Sequence, residues 1–321
     1  MTKRGWPYLL FLLVLLASIA AGHGQGVRQT SQPATNAVPL TPGVESGPII
    51  DVHLHAFHAW TENGGKWNWP EWLPPDHLPA PKTDADLMHE SLAMIKRLNI
   101  VKAVVSGSTL DSWRTAAPGL IIPGFMTGIA GTKPEQLAAL RKDLASGRFA
   151  VIGEVLSQYH GLTPSDPQFE PFLAMAEALD KPMMVHMGLG APGNPRFRMA
   201  LSDALLFEDA LVRHPKLRLC VCHAGWPLLD RMIALLYCYP NVYVDTAFID
   251  WYLPRKEFHS YLRRLVEAGY GQRIMFGTDL LYWPEAIRLA VESIESADFL
   301  SPEQKRDILY NNAARFFGLK M

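Results

Sequence analysis

From Pro48 onward, short apolar runs alternate with longer stretches in which apolar residues recur at helical spacing. Eight of the short runs are predicted as buried strands, because strands covered on both faces read as nearly continuous apolar segments. They are Ile49–His55, Val101–Ser106, Leu120–Phe125, Ala150–Val155, Met183–His186, Leu217–His223, Val242–Thr246 and Ile274–Gly277. Only Asp111–Pro118 separates the second run from the third, so a helix there is expected to be short or irregular.

The segments between and after these runs are predicted as amphipathic helices. They are Ala85–Leu98, Pro134–Ala145, Phe169–Leu179, Ala200–Arg213, Pro227–Tyr237, Lys256–Ala268, Pro284–Ile294 and Pro302–Phe317. Strand–helix alternation over roughly 250 residues predicts an α/β fold, a (β/α)8 TIM barrel with a C-terminal helix and a long loop after the first strand. The rival fold is an open doubly wound sheet, which usually carries a G-x-G-x-x-G turn after an early strand. No such turn follows the first predicted strand.

The first 47 residues read differently from the barrel. Lys3 and Arg4 precede an apolar run from Leu9 to Leu16 and then small residues, which is the pattern of a signal peptide, expected over residues 1–22. The run is shorter than the ~20 residues of a membrane helix, so an uncleaved anchor is the weaker alternative and no stable membrane span is expected after processing. Residues 23–47 are expected to form a flexible leader and residues 48–321 the barrel. The protein is therefore expected to be exported, either periplasmic or secreted.

Composition narrows the class of partner. The chain has 321 residues, a formal net charge of −1 and scattered Lys and Arg, whereas nucleic-acid binding needs a concentrated basic surface. A small-molecule substrate is the expected partner, and a homo-oligomer is compatible with the sequence. Three cysteines are too few for a disulfide framework, and Cys220 and Cys222 are expected to be small buried residues.

Polar residues gather at the carboxyl ends of five predicted strands. They are His53, His55, Glu154, His186, His223 and Asp279. In a parallel barrel these ends open onto one face, where active sites of this fold lie. A lone His after a strand is more often a structural hydrogen-bonding residue, but the coincidence of all six favours a site. Imidazoles with carboxylates suit a divalent cation, most of all zinc, with manganese or iron as alternatives. Asp51 is a candidate to orient a ligand imidazole, or else a structural contact inside the barrel.

The stretches IIDVHLH, MMVHMG, VCHAGWP, IMFGTDLLYWP and ILYNNAARFFGL resemble the amidohydrolase superfamily, over nearly the whole predicted barrel. The resemblance is to its amidohydrolase-related (amidohydrolase 2) branch of metal-dependent TIM-barrel hydrolases. It implies that the metal ligands are His53, His55, His186 and Asp279, and that His223 orients or polarises the substrate. Relatives often carry a carboxylate or a modified lysine at the position of Glu154. Without a lysine, a carbamate-bridged pair of ions is disfavoured and one ion is expected, with a second ion held by Glu154 as the alternative.

The resemblance also suggests the reaction. The first hypothesis is hydrolysis of a small ester, lactone or amide by metal-activated water, with Asp279 as general base and His223 stabilising the developing oxyanion. The second is non-oxidative decarboxylation of an aromatic or unsaturated carboxylic acid with the same metal shell. A non-catalytic binding protein is a third hypothesis, and the intact ligand set argues against it.

Two loops supply candidates for substrate binding. The loop Ala56–Pro81 carries His58 and Trp60, followed by further tryptophans at 67, 69 and 72. These residues are expected either to give the site an aromatic wall or to pack the loop onto the barrel. Arg196 and Arg198, after the fifth strand, either bind a substrate carboxylate or are solvated surface charges. Asp245, near the end of the seventh strand, is either a site residue or an edge contact.

Overall fold

The computed structural model describes residues 47–60, 78–190 and 194–320, and its eight parallel strands pair in sequence order. The strands are β1 Ile49–His55, β2 Ile100–Ser106, β3 Ile121–Thr127, β4 Val151–Val155, β5 Met183–Val185, β6 Leu219–Val221, β7 Val242–Asp245 and β8 Ile274–Met275. The backbone of Val52 donates to Phe276 O (2.9 Å) and that of Thr278 donates to His53 O (3.1 Å), which brings the segment after β8 against β1. The predicted barrel is confirmed.

Helices cover the strands on the outside. They are α1 Asp84–Arg97, α2 Leu110–Ala116, α3 Pro134–Ser146, α4 Glu170–Ala178, α5 Glu208–Arg213, α6 Leu229–Cys238, α7 Ile249–Tyr252, α8 Arg255–Leu265, α9 Glu285–Glu295, α10 Pro302–Arg306 and α11 Asn312–Phe317. The short helix expected between the second and third strands is α2. Among the described residues, no helix has both the length and the apolar character needed to cross a bilayer.

The predicted helix Ala200–Arg213 is wrong over most of its length. Met199–Ser202 and Ala204–Phe207 are 3-10 turns, and α-helix begins only at Glu208. The break falls at Asp203, whose Oδ1 accepts the backbone N–H of Leu205 at 3.0 Å. An Asp side chain that bonds locally competes with helical backbone pairing, and apolar periodicity does not report that competition.

Small and medium apolar side chains fill the interior of the barrel. They come from six strands and the segments beside them, and are Ile50, Val52, Val104, Val151, Met184, Cys220, Cys222 and Met275. Both cysteines are buried and free, as expected. Burial of each side chain of Val or Met size contributes about 1.5–3 kcal/mol to the free energy of folding. The cluster therefore forms a stable packed layer beneath the polar residues that follow the strands.

The C-terminal helix closes the opposite end of the barrel. It starts with an N-cap at Ser301, whose Oγ accepts from Gln304 N at 3.2 Å, and it ends at Gly318 in the left-handed region (φ 64°). Between α10 and α11 the helix widens into a π-turn over Asp307–Asn311. Phe316 packs into the interior cluster. The amide of Asn312 donates to Ile274 O at 2.7 Å, which fixes the helix to the start of β8.

The predicted signal peptide and leader lie outside the described residues, apart from Gly47. So does most of the long loop after β1, including its tryptophans at 67, 69 and 72. The expectations for these segments therefore stay predictions.

Candidate metal centre

Backbone strain concentrates where the strands end. Non-glycine residues with positive φ cluster there: His223 (57°), Ala224 (47°), Phe248 (65°), Asp279 (46°) and Leu281 (52°). Such conformations cost of order 1–3 kcal/mol each and persist only where the surrounding structure enforces them. They place His223 and Asp279 at the mouth of the barrel.

A glycine lets the end of β8 approach β1. A Cβ on Gly277 would lie 2.9 Å from His53 Cβ, closer than side-chain carbons approach one another. Any larger residue would push the two segments apart. Gly277 therefore brings Asp279 within reach of the histidines of β1.

Two histidines and two carboxylates form the front half of the cluster. Nε2 of His53 lies 3.3 Å from Nε2 of His55, which in turn lies 3.2 Å from Asp279 Oδ1. Oε2 of Glu154 lies 3.2 Å from His55 Nε2 and 3.6 Å from His53 Nε2. Ligand bonds of ~2.0–2.1 Å at tetrahedral angles place neighbouring ligand atoms ~3.3 Å apart. The ligand atoms of His53, His55 and Asp279 lie within 4.8 Å of one another, and Glu154 Oε2 adjoins both histidines, so these residues could hold one cation.

The other two histidines face the second oxygen of the same glutamate. His186 Nδ1 lies 2.8 Å from Glu154 Oε1, and His223 Nε2 lies 3.3 Å from it. The two ring nitrogens are 3.0 Å apart. Glu154 therefore stands between two pairs of imidazoles, with one oxygen turned to each pair. We call these six residues the mouth cluster: His53, His55, Glu154, His186, His223 and Asp279.

Backbone carbonyls fix the tautomers of the second pair. Nε2 of His186 lies 2.5 Å from Leu189 O, and Nδ1 of His223 lies 2.9 Å from Ala247 O. A carbonyl oxygen only accepts, so each of these outer nitrogens must carry the proton. In the neutral imidazoles, the inner nitrogens that face Glu154 then carry lone pairs.

The first pair is held in the same way. Asp245 Oδ2 lies 3.1 Å from His53 Nδ1, and Ser106 Oγ lies 3.2 Å from His55 Nδ1. The carboxylate of Asp245 only accepts, so His53 Nδ1 carries the proton and the lone pair is on Nε2, whereas the hydroxyl of Ser106 can donate to His55 Nδ1 or accept from it. Lone pairs that converge on carboxylates repel one another unless a cation lies among them, so the donor set fits a divalent metal ion.

The electrostatics of the mouth cluster favour positive charge. Burial alone would raise the pKa of Glu154, but the neighbouring His53 and His186 outweigh burial and hold that pKa well below its usual range. Burial likewise opposes the charged form of His55, yet its bonds to Asp279 and Glu154 raise its pKa to about 9. The carboxylates thus make this cavity a place for a proton or a metal cation.

Asp245 is the carboxylate that orients the imidazole of His53. Besides His53, it accepts from the backbone N–H of His223 (2.8 Å) and of Ala247 (3.2 Å), so one buried side chain joins β1, β7 and the turn after β6. Of the two roles expected for Asp51, the structure shows the structural contact: its carboxylate accepts from the backbone N–H of His53 (3.0 Å) and the hydroxyl of Thr278 (2.7 Å). Burial, partly offset by these bonds, raises the pKa of Asp51 to about 7.

Of the four substrate-binding candidates, the structure brings Trp60 toward the cluster. Phe57 stacks on His55, with ring centroids 4.5 Å apart and planes at 8°. Tyr282 lies 6.0 Å from Phe57 and 5.4 Å from Trp60, which gives a continuous aromatic row.

The other three candidates are exposed residues. His58 is 48% exposed and pairs with Asp84 at the start of α1, with Nδ1 to Oδ2 at 2.6 Å. Arg196 and Arg198 are exposed, and Arg198 Nη1 donates to Pro195 O (3.0 Å) and Phe197 O (2.7 Å) in its own loop. Their proposed role in substrate binding stays a prediction.

Comparison with known proteins identifies relatives over the whole barrel. A family model described as Amidohydrolase matches residues 50–319, which confirms the resemblance noted in the sequence. The curated protein fluG of Emericella nidulans is 24% identical over 155 residues, covering 44% of this chain. The match spans 18% of that relative's length.

Solved structures share the fold. An uncharacterized TIM-barrel protein, Bb4693, from Bordetella bronchiseptica has a TM-score of 0.65 and 17% identity, over 85% of this chain and 99% of the other. A probable 2-pyrone-4,6-dicarboxylic acid hydrolase from Acinetobacter baumannii has a TM-score of 0.59 and 14% identity, over 85% and 100%. A dihydroxybenzoic acid decarboxylase from Polaromonas sp. JS666, with bound manganese, has a TM-score of 0.59 and 14% identity, over 85% and 97%. At these identities the structures establish the fold alone.

Proposed function

The chain belongs to the amidohydrolase family, and on that premise we propose that it is a metal-dependent hydrolase of a small ester, lactone or amide. The family is enzymatic and includes both hydrolases and decarboxylases. The observation that supports a metal mechanism is the mouth cluster itself. Its four imidazoles turn their inner nitrogens toward two carboxylates while their outer nitrogens are tied to other groups.

The front half of the cluster would hold the ion, through His53, His55, Asp279 and Glu154. When bound, a divalent ion supplies Lewis-acid chemistry: it polarises a carbonyl oxygen and lowers the pKa of water from ~15.7 toward ~7. Zinc fits imidazole and carboxylate donors, and manganese and iron are the alternatives.

Asp279 is the proposed general base. Burial would raise its pKa, but the hydrogen bond and charge of His55 outweigh burial and lower it, so the carboxylate is ionised at neutral pH. An ionised carboxylate at the mouth accepts a proton from the attacking water and returns it to the leaving group. The substrate carbonyl would lie between Asp279 and the aromatic row of Phe57, Trp60 and Tyr282.

Charge favours hydrolysis of an uncharged substrate over decarboxylation of an acid. Among the residues that the structure describes, none of the buried side chains is a Lys or Arg, and Arg196 and Arg198 are exposed. Glu154, Asp279 and Asp245 make the buried cavity rich in carboxylates. For a substrate carboxylate only the bound ion would offset this field, since no cationic side chain is there to bind it, whereas a neutral ester, lactone or amide needs no such partner.

Substrate panels separate the two reactions. Purified protein supplied with zinc or manganese is incubated with uncharged esters, lactones and amides, and separately with aromatic and unsaturated acids, while the carboxylic acid product and carbon dioxide are measured. We expect hydrolysis of at least one neutral class, lost in Asp279→Asn and kept in Asp180→Asn, whose side chain is exposed on the opposite end of the barrel. Carbon dioxide release from an acid, with no hydrolysis of any neutral substrate, would replace this proposal with the decarboxylase.

A further inference from the structure

We propose that Trp251 is a positioning residue for Asp279, the proposed general base. Trp251 lies on α7, and its indole N–H donates to the carbonyl of the peptide that leads into Asp279, with Nε1 to Thr278 O at 2.7 Å. The inference rests on the proposed hydrolase function and deepens it, because it identifies what holds the reacting carboxylate in place. In this role Trp251 acts through Asp279 and needs no contact with the substrate.

The backbone of Asp279 depends on support from other segments. Its φ of 46° lies in the left-handed region, which aspartate enters more readily than most residues but without the freedom of glycine. Such conformations persist where surrounding contacts over-determine them. Those contacts therefore decide whether the carboxylate stays beside His55, whose Nε2 lies 3.2 Å from Asp279 Oδ1.

The peptide between Thr278 and Asp279 is held at both of its polar ends. Its carbonyl, Thr278 O, accepts from Trp251 Nε1, and its N–H, on Asp279, donates to His53 O at 2.6 Å. The peptide unit is planar, so the two hydrogen bonds together fix the orientation of its plane. The φ of Asp279 is the rotation about the next bond, and it is restricted when that plane is fixed.

Packing holds the indole of Trp251 in place. The ring is half-buried, and its centroid lies 5.0 Å from that of Phe248, 6.1 Å from Tyr252 and 6.0 Å from Trp283. A side chain whose rotamer is locked by packing can hold a catalytic group with the precision that catalysis needs. The indole N–H is therefore a rigid donor to Thr278 O.

A backbone donor also reaches the same carbonyl. The N–H of Phe248 donates to Thr278 O at 3.3 Å, which is longer than the 2.7 Å of the indole bond. Loss of the indole N–H therefore leaves the buried carbonyl with a partner and avoids the cost of an unpaired group. The fold should survive this loss, while the peptide plane is held less tightly.

Removal of the single N–H group tests the proposal. Benzothienylalanine, which has sulfur in place of the indole nitrogen, is incorporated at position 251 of the full chain, and Trp251→Phe is made as a second variant. Both are assayed at saturating zinc or manganese on a neutral ester, lactone or amide that the wild type hydrolyses. We expect kcat to fall about 10–100-fold with KM within about twofold of wild type, because a misplaced base weakens the transition state and not substrate binding. Crystal structures of the variants should show Asp279 rotated out of the left-handed region.

The same analogue at Trp226 is the matched control, since its indole N–H donates to Glu257 Oε1 at the surface, at 3.2 Å. It should leave kcat, KM and the conformation of Asp279 unchanged. Wild-type kcat with Asp279 in place in the position-251 analogue would overturn the proposal, and so would an equal loss of kcat in the control. If the wild type hydrolyses no neutral substrate, the proposed function fails, and the conformation of Asp279 in the variant crystals alone decides the positioning role.

Discussion

Two clusters of histidine and glutamate in this molecule have the same residue types and different geometry. The mouth cluster lies where the strands of the barrel end. The second, which we call the outer cluster, consists of His214, Glu170 and Glu177 on the helical layer. There, His214 Nδ1 lies 3.1 Å from Glu177 Oε2 and Nε2 lies 2.9 Å from Glu170 Oε1. Its histidine is buried, as the mouth histidines are.

The direction of the ring nitrogens separates the two clusters. In the outer cluster each nitrogen of one ring has its own carboxylate, so a protonated imidazole satisfies both glutamates and nothing further is needed. In the mouth cluster the outer nitrogens are already bonded, and the inner nitrogens of four rings converge on two carboxylates. Proximity of His and Glu therefore does not identify a metal centre. The distinguishing feature is a set of imidazoles whose outer nitrogens are hydrogen-bonded to other groups and whose inner nitrogens converge on the carboxylates.

Removal of metal should produce the largest difference between the clusters. Dialysis of the protein against a chelator should abolish hydrolysis and lower the melting temperature, because an ion that binds only the folded state stabilises it. Added zinc, manganese or iron should restore both properties. A Glu177→Gln variant should respond in the same way, since the outer cluster has no share in metal binding. Full activity in metal-free protein would contradict the assignment.

The same carboxylate-to-amide change in each cluster sharpens the comparison further. Asp279→Asn should lower kcat about 10²–10⁴-fold through loss of the base, with far-UV circular dichroism unchanged. Glu177→Gln should leave kcat and KM at wild-type values. Equal losses in the two variants would mean that the distinction drawn between the clusters is wrong.

Asp245→Asn should weaken metal binding without removing a ligand. An amide has one acceptor oxygen, so it cannot accept from both His53 Nδ1 and the backbone N–H groups of His223 and Ala247. Loss of such an orienting partner typically lowers metal affinity about 10–100-fold, which competition with a chromophoric chelator measures.

Asp250→Asn is the control for that experiment. Asp250 is also buried and follows β7, and Thr246 Oγ1 donates to its Oδ2 at 3.0 Å. Burial raises the pKa of Asp250 well above its usual range, which favours the neutral acid that an amide resembles. Its metal affinity should match the wild type, and a comparable loss in both variants would show a general packing effect instead.

The outer cluster should show the smallest effect, and only on stability. The backbone N–H of Lys216 and the imidazole of His214 lower the pKa of Glu177, so this carboxylate stabilises the fold above its unfolded pKa of ~4.3. Glu177→Gln should cost about 1 kcal/mol or less near pH 6. The difference in melting temperature from wild type should vanish as the pH falls through the lowered pKa. A difference that grows toward low pH would contradict this account.

The sequence predicted the barrel and the six residues of the mouth cluster because both follow from local pattern. The apolar run of β1 was predicted with its observed bounds, and parallel strands bring their carboxyl ends to one face whatever the loops do. The role of Asp245 was left open, because its pairing with His53 spans 192 residues and depends on the stagger between strands. The tautomers of His186 and His223 depend on the carbonyls of Leu189 and Ala247, whose positions the side-chain pattern does not report. The position of Glu154 between the two pairs of histidines likewise depends on how the strands pack, so the side-chain pattern does not predict it.

The central claim is that the converging lone pairs of the mouth cluster are metal ligands. Diffraction from a crystal of the protein purified with zinc, measured on both sides of the zinc absorption edge, tests it most directly. The account predicts anomalous density within ~2.0–2.2 Å of the inner nitrogens of His53 and His55, with Glu154 and Asp279 as neighbouring ligands. An ordered structure in which the cluster shows no anomalous density, and Glu154 accepts hydrogen bonds from protonated imidazoles, would contradict it.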